Sequence, residues 1–273
     1  MVYFWKVNKP LMRSRVITSI IAIAIVLLFI FLGKEYFGSL VFAVICILSY
    51  EYFKLARVHG YSPFTVLGII LNAIIVIGLY FFDVNSIMYS LFSSFIIIFL
   101  ISMFSRRIEH SLVDLSITAM SIAYFPLLAF LIPMYAMQGG KMLVLFSLIL
   151  IWCNDTFSFF GGMLFGRHKL ARSISPNKTV EGAAVGLVVA VVIATFIGQF
   201  FGISDIWVRL SSGIIVGCFA QIGDLFESYI KRRFNTKDSG NILPGHGGLM
   251  DRTDSIILTA FVMFWFFKLL LKG

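Results

Sequence analysis

Polar residues in this chain punctuate a series of long apolar runs. The runs fall at 16–33, 36–53, 64–82, 87–104, 112–136, 142–165, 180–202, 207–227 and 255–271. Each is about as long as the 17–25 residues a helix needs to cross a hydrocarbon core. Barrel strands would be shorter and would alternate apolar and polar positions, which these segments do not. A bilayer core offers no water to satisfy backbone groups, so such segments are helices. The pattern predicts an all-α, polytopic integral membrane protein with about nine transmembrane helices.

Composition agrees: 60% of the 273 residues are hydrophobic and only 13% are charged. The few charges set the orientation. With nine spans, the N-terminus and the loops after every second span share one side, which carries 17 of the 22 Lys and Arg residues. The positive-inside rule places that side, and the N-terminus with it, in the cytoplasm. The other side keeps Lys34, Lys141, Arg209, Lys268 and Lys272. A net charge of +9 would fit a nucleic-acid partner, but no basic, aromatic-interleaved soluble domain is evident in the sequence to bind one. The cations instead cluster at cytoplasmic helix ends, where membrane-lipid headgroups and nucleotide phosphates are the available anions.

Cys46, Cys153 and Cys218 sit inside apolar runs without paired spacing, so they read as packing residues and not as a disulfide framework or zinc site. The first 35 residues combine a long basic stretch with a full-length span, unlike a cleaved signal. Within them Met1–Lys9, with Tyr3, Phe4 and Trp5, resembles an interfacial anchor.

The acids divide the chain. Before residue 141 there are only Glu35, Glu51, Asp83, Glu109 and Asp114, all near predicted loops or helix ends, and they read as interfacial. Residues 1–140 are therefore assigned to scaffold and lipid contact, and they are the candidate surface for a homodimer. Residues 141–273 carry the chemistry. Asn154 and Asp155 lie inside a predicted span, where an ionisable side chain needs a polar partner or a water-filled cavity. A basic loop, Arg167–Lys178, then leads into the span at 180–202, whose N-terminus offers free N–H groups to a phosphate. Lys178 alone would also serve as a topology signal.

Asp224, Glu227, Ser228 and Lys231 follow the i, i+3, i+4, i+7 spacing of one helical stripe, and Gln221 extends it inward. On a membrane helix such a stripe faces the protein interior, although a ladder of ion pairs on an exposed helix has the same spacing. From Ser228 to Asp254 the chain gathers three acids, five cations, His246 and four glycines. That mixture suits phosphates and a divalent metal held by short polar side chains and bare backbone. Gly240, Gly245, Gly247 and Gly248 permit close backbone approach to a ligand. Asp251 and Asp254 follow at the start of the last span, a place also favoured by acids for the helix dipole alone.

The order of these residues resembles the signature of the phosphatidate cytidylyltransferases (CDP-diacylglycerol synthases), a family of integral membrane enzymes. Eleven positions fit: Ser228, Lys231, Arg232, Lys237, Asp238, His246, Gly247, Gly248, Asp251, Arg252 and Asp254. A second block agrees upstream, from Asn154-Asp155-Thr156 through Gly161-Gly162 to Ser175–Gly182. Ser158-Phe159 departs from the Ala-Tyr pair common in the family. The N-terminal half matches only as a run of spans.

The resemblance implies transfer of CMP from CTP to phosphatidic acid, giving CDP-diacylglycerol and pyrophosphate, at the inner face of a bacterial cytoplasmic membrane. It implies Mg²⁺, with Asp224 and Asp251 as its first carboxylates and Asp155, Asp238 or Asp254 completing the shell of a second cation. Lys178, Lys231, Arg232, Lys237 and Arg252 become the candidates for substrate phosphates, with Ser228, Gly247 and Gly248 beside them. Asp224, Asp251, Lys237 and His246 form the catalytic set, His246 as the one acid–base candidate. Two alternatives remain: a CTP-dependent lipid kinase acting on a polyprenol-type alcohol, and a transporter with acids at broken helices. The confinement of polar residues to one half of the chain argues against the transporter.

Overall fold

The computed structural model of the chain describes residues 9–82, 84–104, 112–240 and 247–271. It is all-α apart from one short hairpin. In chain order the helices are α1 (Lys9–Leu32), α2 (Lys34–Val58), α3 (Thr65–Phe81), α4 (Ser86–Phe104), α5 (Leu112–Tyr124), α6 (Leu131–Tyr135), α7 (Gly140–Phe165), α8 (Val180–Ile197), α9 (Ile206–Arg233) and α10 (Met250–Leu270). Strands β1 (Lys169–Ala171) and β2 (Ser175–Thr179) pair antiparallel between α7 and α8.

Among the described residues, seven helical segments are long and apolar enough to cross a membrane. Two further predicted spans correspond to the shorter apolar helices Ile17–Leu32 and Thr65–Phe81. Large side chains such as Phe92, Phe99 and Phe104 on α4 are exposed, as expected where the solvent is lipid. The chain is an integral membrane protein.

Three of the differences between the predicted spans and the helices bear on the site or its packing. The span at 112–136 is broken: α5 ends at Tyr124, a 3-10 stretch runs from Phe125 to Phe130, and α6 resumes. Pro126, at the start of that stretch, has no N–H to continue the α-helical ladder. Helix α9 continues past residue 227 to Arg233, and its last turn places Lys231, Arg232 and Arg233 at the negative end of the helix dipole. Helix α10 starts five residues before the apolar run does, so Asp251 and Asp254 lie on its first turns.

Helices α7–α10 form one tightly packed group. Helix α8 supplies the close approach: its buried positions are Gly182, Gly186, Ala190 and Ala194, four residues apart along one face. Lipid tails give helices no hydrophobic reason to associate, so small residues that let backbones come close do that work instead. The group joins the N-terminal half through aromatic contacts. Phe130 packs against Phe261 and Phe264, with ring centroids 4.8 and 5.4 Å apart. Tyr52 on α2 packs edge-on against both Phe125 and Phe234. The core around Ile45, Phe53, Phe125, Phe130, Phe146 and Phe264 is continuous across the two halves.

Two of the acids that read as interfacial are buried inside the protein. Glu51 and Asp114 are 2% and 4% exposed. Asp114 accepts a hydrogen bond from the Ser62 N–H at 2.8 Å, and Glu51 binds backbone at the start of α10. Their partners lie 52 and about 198 residues away in sequence, which a local pattern does not reveal.

Candidate active site

The site is built where the hairpin, the C-terminal half of α9 and the first turns of α10 converge. The basic loop folds as the hairpin β1–β2, and Thr179 caps α8 by accepting from Gly182 N–H at 3.1 Å. Glu181 accepts from the N–H groups of Arg167 and His168 and lies 2.6 Å from His168 Nδ1, which ties the hairpin base to α8. This framework carries Lys178 inward. Its Nζ lies 2.5 Å from Asp224 Oδ2 on α9, and it lacks an aligned hydrogen-bond acceptor among the described residues.

Lys178 and Asp224 line a cavity of about 500 Å³ together with Asp155, Ser158, Asn177 and Gln221. Phe159, Met163 and Leu170 form an apolar part of the wall, and both Phe159 and Met163 also present exposed surface. Asp155 accepts from Asn154 Nδ2 at 3.1 Å and from Ser255 Oγ of α10 at 2.7 Å. Gln221 donates to Ala183 O at 2.8 Å, fastening α9 to α8.

The stripe on α9 faces the protein interior: Glu227 is buried and Asp224, Ser228 and Lys231 are partly buried. Lys231 Nζ is 2.5 Å from Glu227 Oε2 and 2.5 Å from Asp251 Oδ1. Asp251 Oδ2 accepts from Ser239 N–H, Ser239 Oγ and Gly248 N–H at 2.9–3.1 Å. Ser239 and Gly248, on the two described flanks of the signature loop, therefore meet at the carboxylate that follows it. Gly247 has φ +83°, and a Cβ there would stand 2.7 Å from Asp251 Oδ2, so this turn admits only glycine comfortably.

Asp224, Glu227 and Asp254 bring carboxylate oxygens within 4.8 Å of one another. Glu227 is fully buried, and among the described residues its Oε1 has no hydrogen-bond partner. Three converging carboxylates, one of them buried with an oxygen that accepts no hydrogen bond among the described residues, fit a divalent cation. Glu227 lies on the predicted stripe but was assigned no metal role; its i+3 spacing from Asp224 was the signal.

The remaining candidates are distributed around this centre. Ser228 is half-buried on the α9 stripe. Arg232 donates from Nε to Ile174 O and from Nη1 to Thr236 O, linking the hairpin turn to the exit of α9. Arg252 lies exposed on the first turn of α10. Lys237 and Asp238 are on the exposed loop and are not joined to the buried ion pairs. His246 lies outside the described residues.

Residues 13–270 match the model of the cytidylyltransferase family. The chain is similar to a Bacillus subtilis protein named phosphatidate cytidylyltransferase, 32% identical over 95% of this chain and 97% of that protein. It is 39% identical to a Staphylococcus epidermidis protein of the same name over 54% of this chain. A Staphylococcus saprophyticus protein, also so named, is 42% identical over a similar share. In these two staphylococcal alignments the chain spans only about half of the relative's length, 56% in each case. With a match from residue 13 to residue 270 and a relative aligned nearly end to end, the chain belongs to the cytidylyltransferase family.

Proposed function

We propose that the protein transfers CMP from CTP to phosphatidic acid, releasing pyrophosphate and forming CDP-diacylglycerol, at the cytoplasmic face of a bacterial inner membrane. The observation that carries this reading is the Lys178–Asp224 ion pair on the wall of one cavity, with Asp224 clustered with Glu227 and Asp254, and Glu227 paired in turn with Lys231. Its lining combines polar residues with the apolar Phe159, Met163 and Leu170, which suits a ligand with a phosphate head and acyl chains.

In the reaction an oxygen of the lipid phosphate attacks the α-phosphorus of CTP, a new P–O bond forms, and the bond to the β-phosphate breaks. The attacking phosphate is already anionic near neutral pH, so no strong base is needed. The main obstacle is repulsion between two polyanions, which positioned cations relieve. Lys178 and Lys231 suit that task. Both are held in place by buried or half-buried carboxylates, and Lys178 retains donor capacity toward the cavity.

Asp224, Glu227 and Asp254 would hold Mg²⁺, with Asp251 Oδ1 adjoining through Lys231. When bound, the ion would neutralise phosphate charge and orient the triphosphate. Arg232 and Arg252 at the rim would meet the outer phosphates, and Lys237 would act from the exposed loop. Phe159 and Met163, exposed on α7 and lining the cavity, would receive the acyl chains from the membrane.

The test is purified protein with CTP labelled in its cytosine, phosphatidic acid and Mg²⁺. Mg²⁺-dependent appearance of label in the lipid extract supports the proposal. Label that stays in the aqueous phase with every lipid phosphate offered would reject it.

A further inference from the structure

We propose that Glu51, in the N-terminal half, is a positioning residue of the active site. Its carboxylate holds the signature loop so that Asp251 keeps its place between Lys231 and Ser239. The carboxylate is reached from α2, outside the half of the chain that carries the motifs. Oε1 accepts from Leu249 N–H at 2.9 Å and Oε2 from Met250 N–H at 2.9 Å. These amides open α10, where N–H groups lack intrahelical partners and the helix dipole is positive. Leu249, at the N-cap position, has no side chain able to cap them.

The cradle around Glu51 is shaped for a carboxylate. A Cβ on Gly248 would meet both Glu51 oxygens at 2.9 Å as well as the Ser239 hydroxyl, and a Cβ on Gly240 would stand 3.1 Å from Glu51 Oε1. Glycines from both flanks of the signature loop therefore close on one side chain of α2. The next link leads into the site. Gly248 N–H donates to Asp251 Oδ2 while the two following amides donate to Glu51, so one turn of backbone is shared between the two carboxylates. Asp251 in turn holds Lys231, which holds Glu227.

The neighbour of Glu51 reinforces the contact. Tyr52 packs edge-on against Phe234, just past the end of α9, with centroids 5.9 Å apart, and Tyr61 meets the same ring at 5.8 Å. Helix α2 thus fixes both ends of the signature loop. A local Ser or Asp at position 249 would have capped α10 at far smaller desolvation cost than a buried carboxylate brought from another helix. What the distant carboxylate adds is a rigid link between the scaffold and Asp251.

The kinetic part of the test rests on the cytidylyl-transfer reading, whereas the structural part does not. Full-length Glu51→Gln, Glu51→Ala and, as a control, Asp114→Asn would be compared in detergent. Asp114 is also a buried acid of the N-terminal half, but it caps Ser62 and not the signature loop. Hydrogen exchange at the amides of Leu249 and Met250 should speed up in both Glu51 variants and stay unchanged in Asp114→Asn. In Glu51→Gln, kcat should fall about 10–100-fold, as for other residues that orient catalytic groups, with KM for CTP within about twofold. An unfolded fraction would also lower apparent kcat at unchanged KM, so kcat is taken per folded protein, and the local exchange at Leu249 and Met250 against the Asp114→Asn control separates positioning from a general loss of stability.

If Glu51→Ala fails to fold, the near-isosteric Glu51→Gln decides. Wild-type exchange at 249–250 in Glu51→Gln would overturn the proposal, and so would wild-type kcat. If the wild-type protein itself makes no cytidylyl lipid, the function fails, and the exchange measurement still decides whether Glu51 holds the loop.

Discussion

Lys178 on the β-hairpin and Asp224 on α9 form a 2.5 Å ion pair on the wall of the cavity, joining the upstream motif block to the α9 stripe. The sequence separates them by the whole of α8, and both line the same wall. This pairing brings a candidate phosphate-binding cation to one of the candidate metal ligands.

Asp224→Asn keeps the shape of the side chain and one acceptor oxygen but removes the charge a divalent cation needs. Turnover should fall by roughly 100-fold or more, the scale of losing a key electrostatic group, and the Mg²⁺ concentration for half-maximal rate should rise. Asp254→Asn should shift the Mg²⁺ dependence in the same direction. A Mg²⁺ titration identical to wild type in both variants would remove these residues from the metal site.

Lysine substitutions should rank by position. Lys178→Ala and Lys231→Ala should each lose on the order of 100-fold in kcat, because a charge aimed at developing negative charge acts in the transition state. Lys→Arg at these positions should retain part of the activity. Lys237→Ala should cost less, since Lys237 is on the exposed loop and outside the buried ion pairs. Steady-state kinetics with metal and lipid saturating would check the order, and equal small effects at all three positions would mean that these cations only mark the membrane side.

The orientation is open to chemical labelling. In a background free of native cysteines, Arg172→Cys and Asn235→Cys should react with an impermeant thiol reagent only from the cytoplasmic side, and Gln138→Cys only from outside. The motivation is the 17-to-5 division of Lys and Arg. Labelling of position 172 from outside would reverse the topology and the route by which CTP arrives.

Packing along α8 makes a prediction independent of catalysis. Ala190 is fully buried on the small-residue face. Ala190→Leu should force α8 from its neighbours and destabilise the fold by about 1–3 kcal/mol, the usual cost of overpacking. A lower midpoint of thermal unfolding in detergent would show it; an unchanged midpoint would mean that the face is not tightly packed.

Much of this arrangement was legible from local pattern. The apolar runs located the helices, because a membrane-spanning helix needs length and hydrophobicity, and both can be read from neighbouring residues. The i, i+3, i+4, i+7 spacing on α9 showed that Asp224, Glu227 and Lys231 share a face. Pairings set by tertiary contact were not legible. No sequence rule connects Glu51 to Met250, or Asp155 to Ser255, since each contact depends on how separate helices pack. The break after Tyr124 was hidden because hydrophobicity continues unchanged through Pro126. The hairpin in the basic loop was missed for a related reason: its strands are three and five residues long, too short to display a period.

The central claim is that the α-phosphorus of CTP is the one attacked. The direct measurement is a single reaction with CTP labelled separately at the α- and γ-phosphates, phosphatidic acid as acceptor, and both phases analysed. The account predicts α-label in the lipid, γ-label in aqueous pyrophosphate, and one pyrophosphate per lipid product. γ-Label in the lipid with release of CDP would contradict it and identify a lipid kinase.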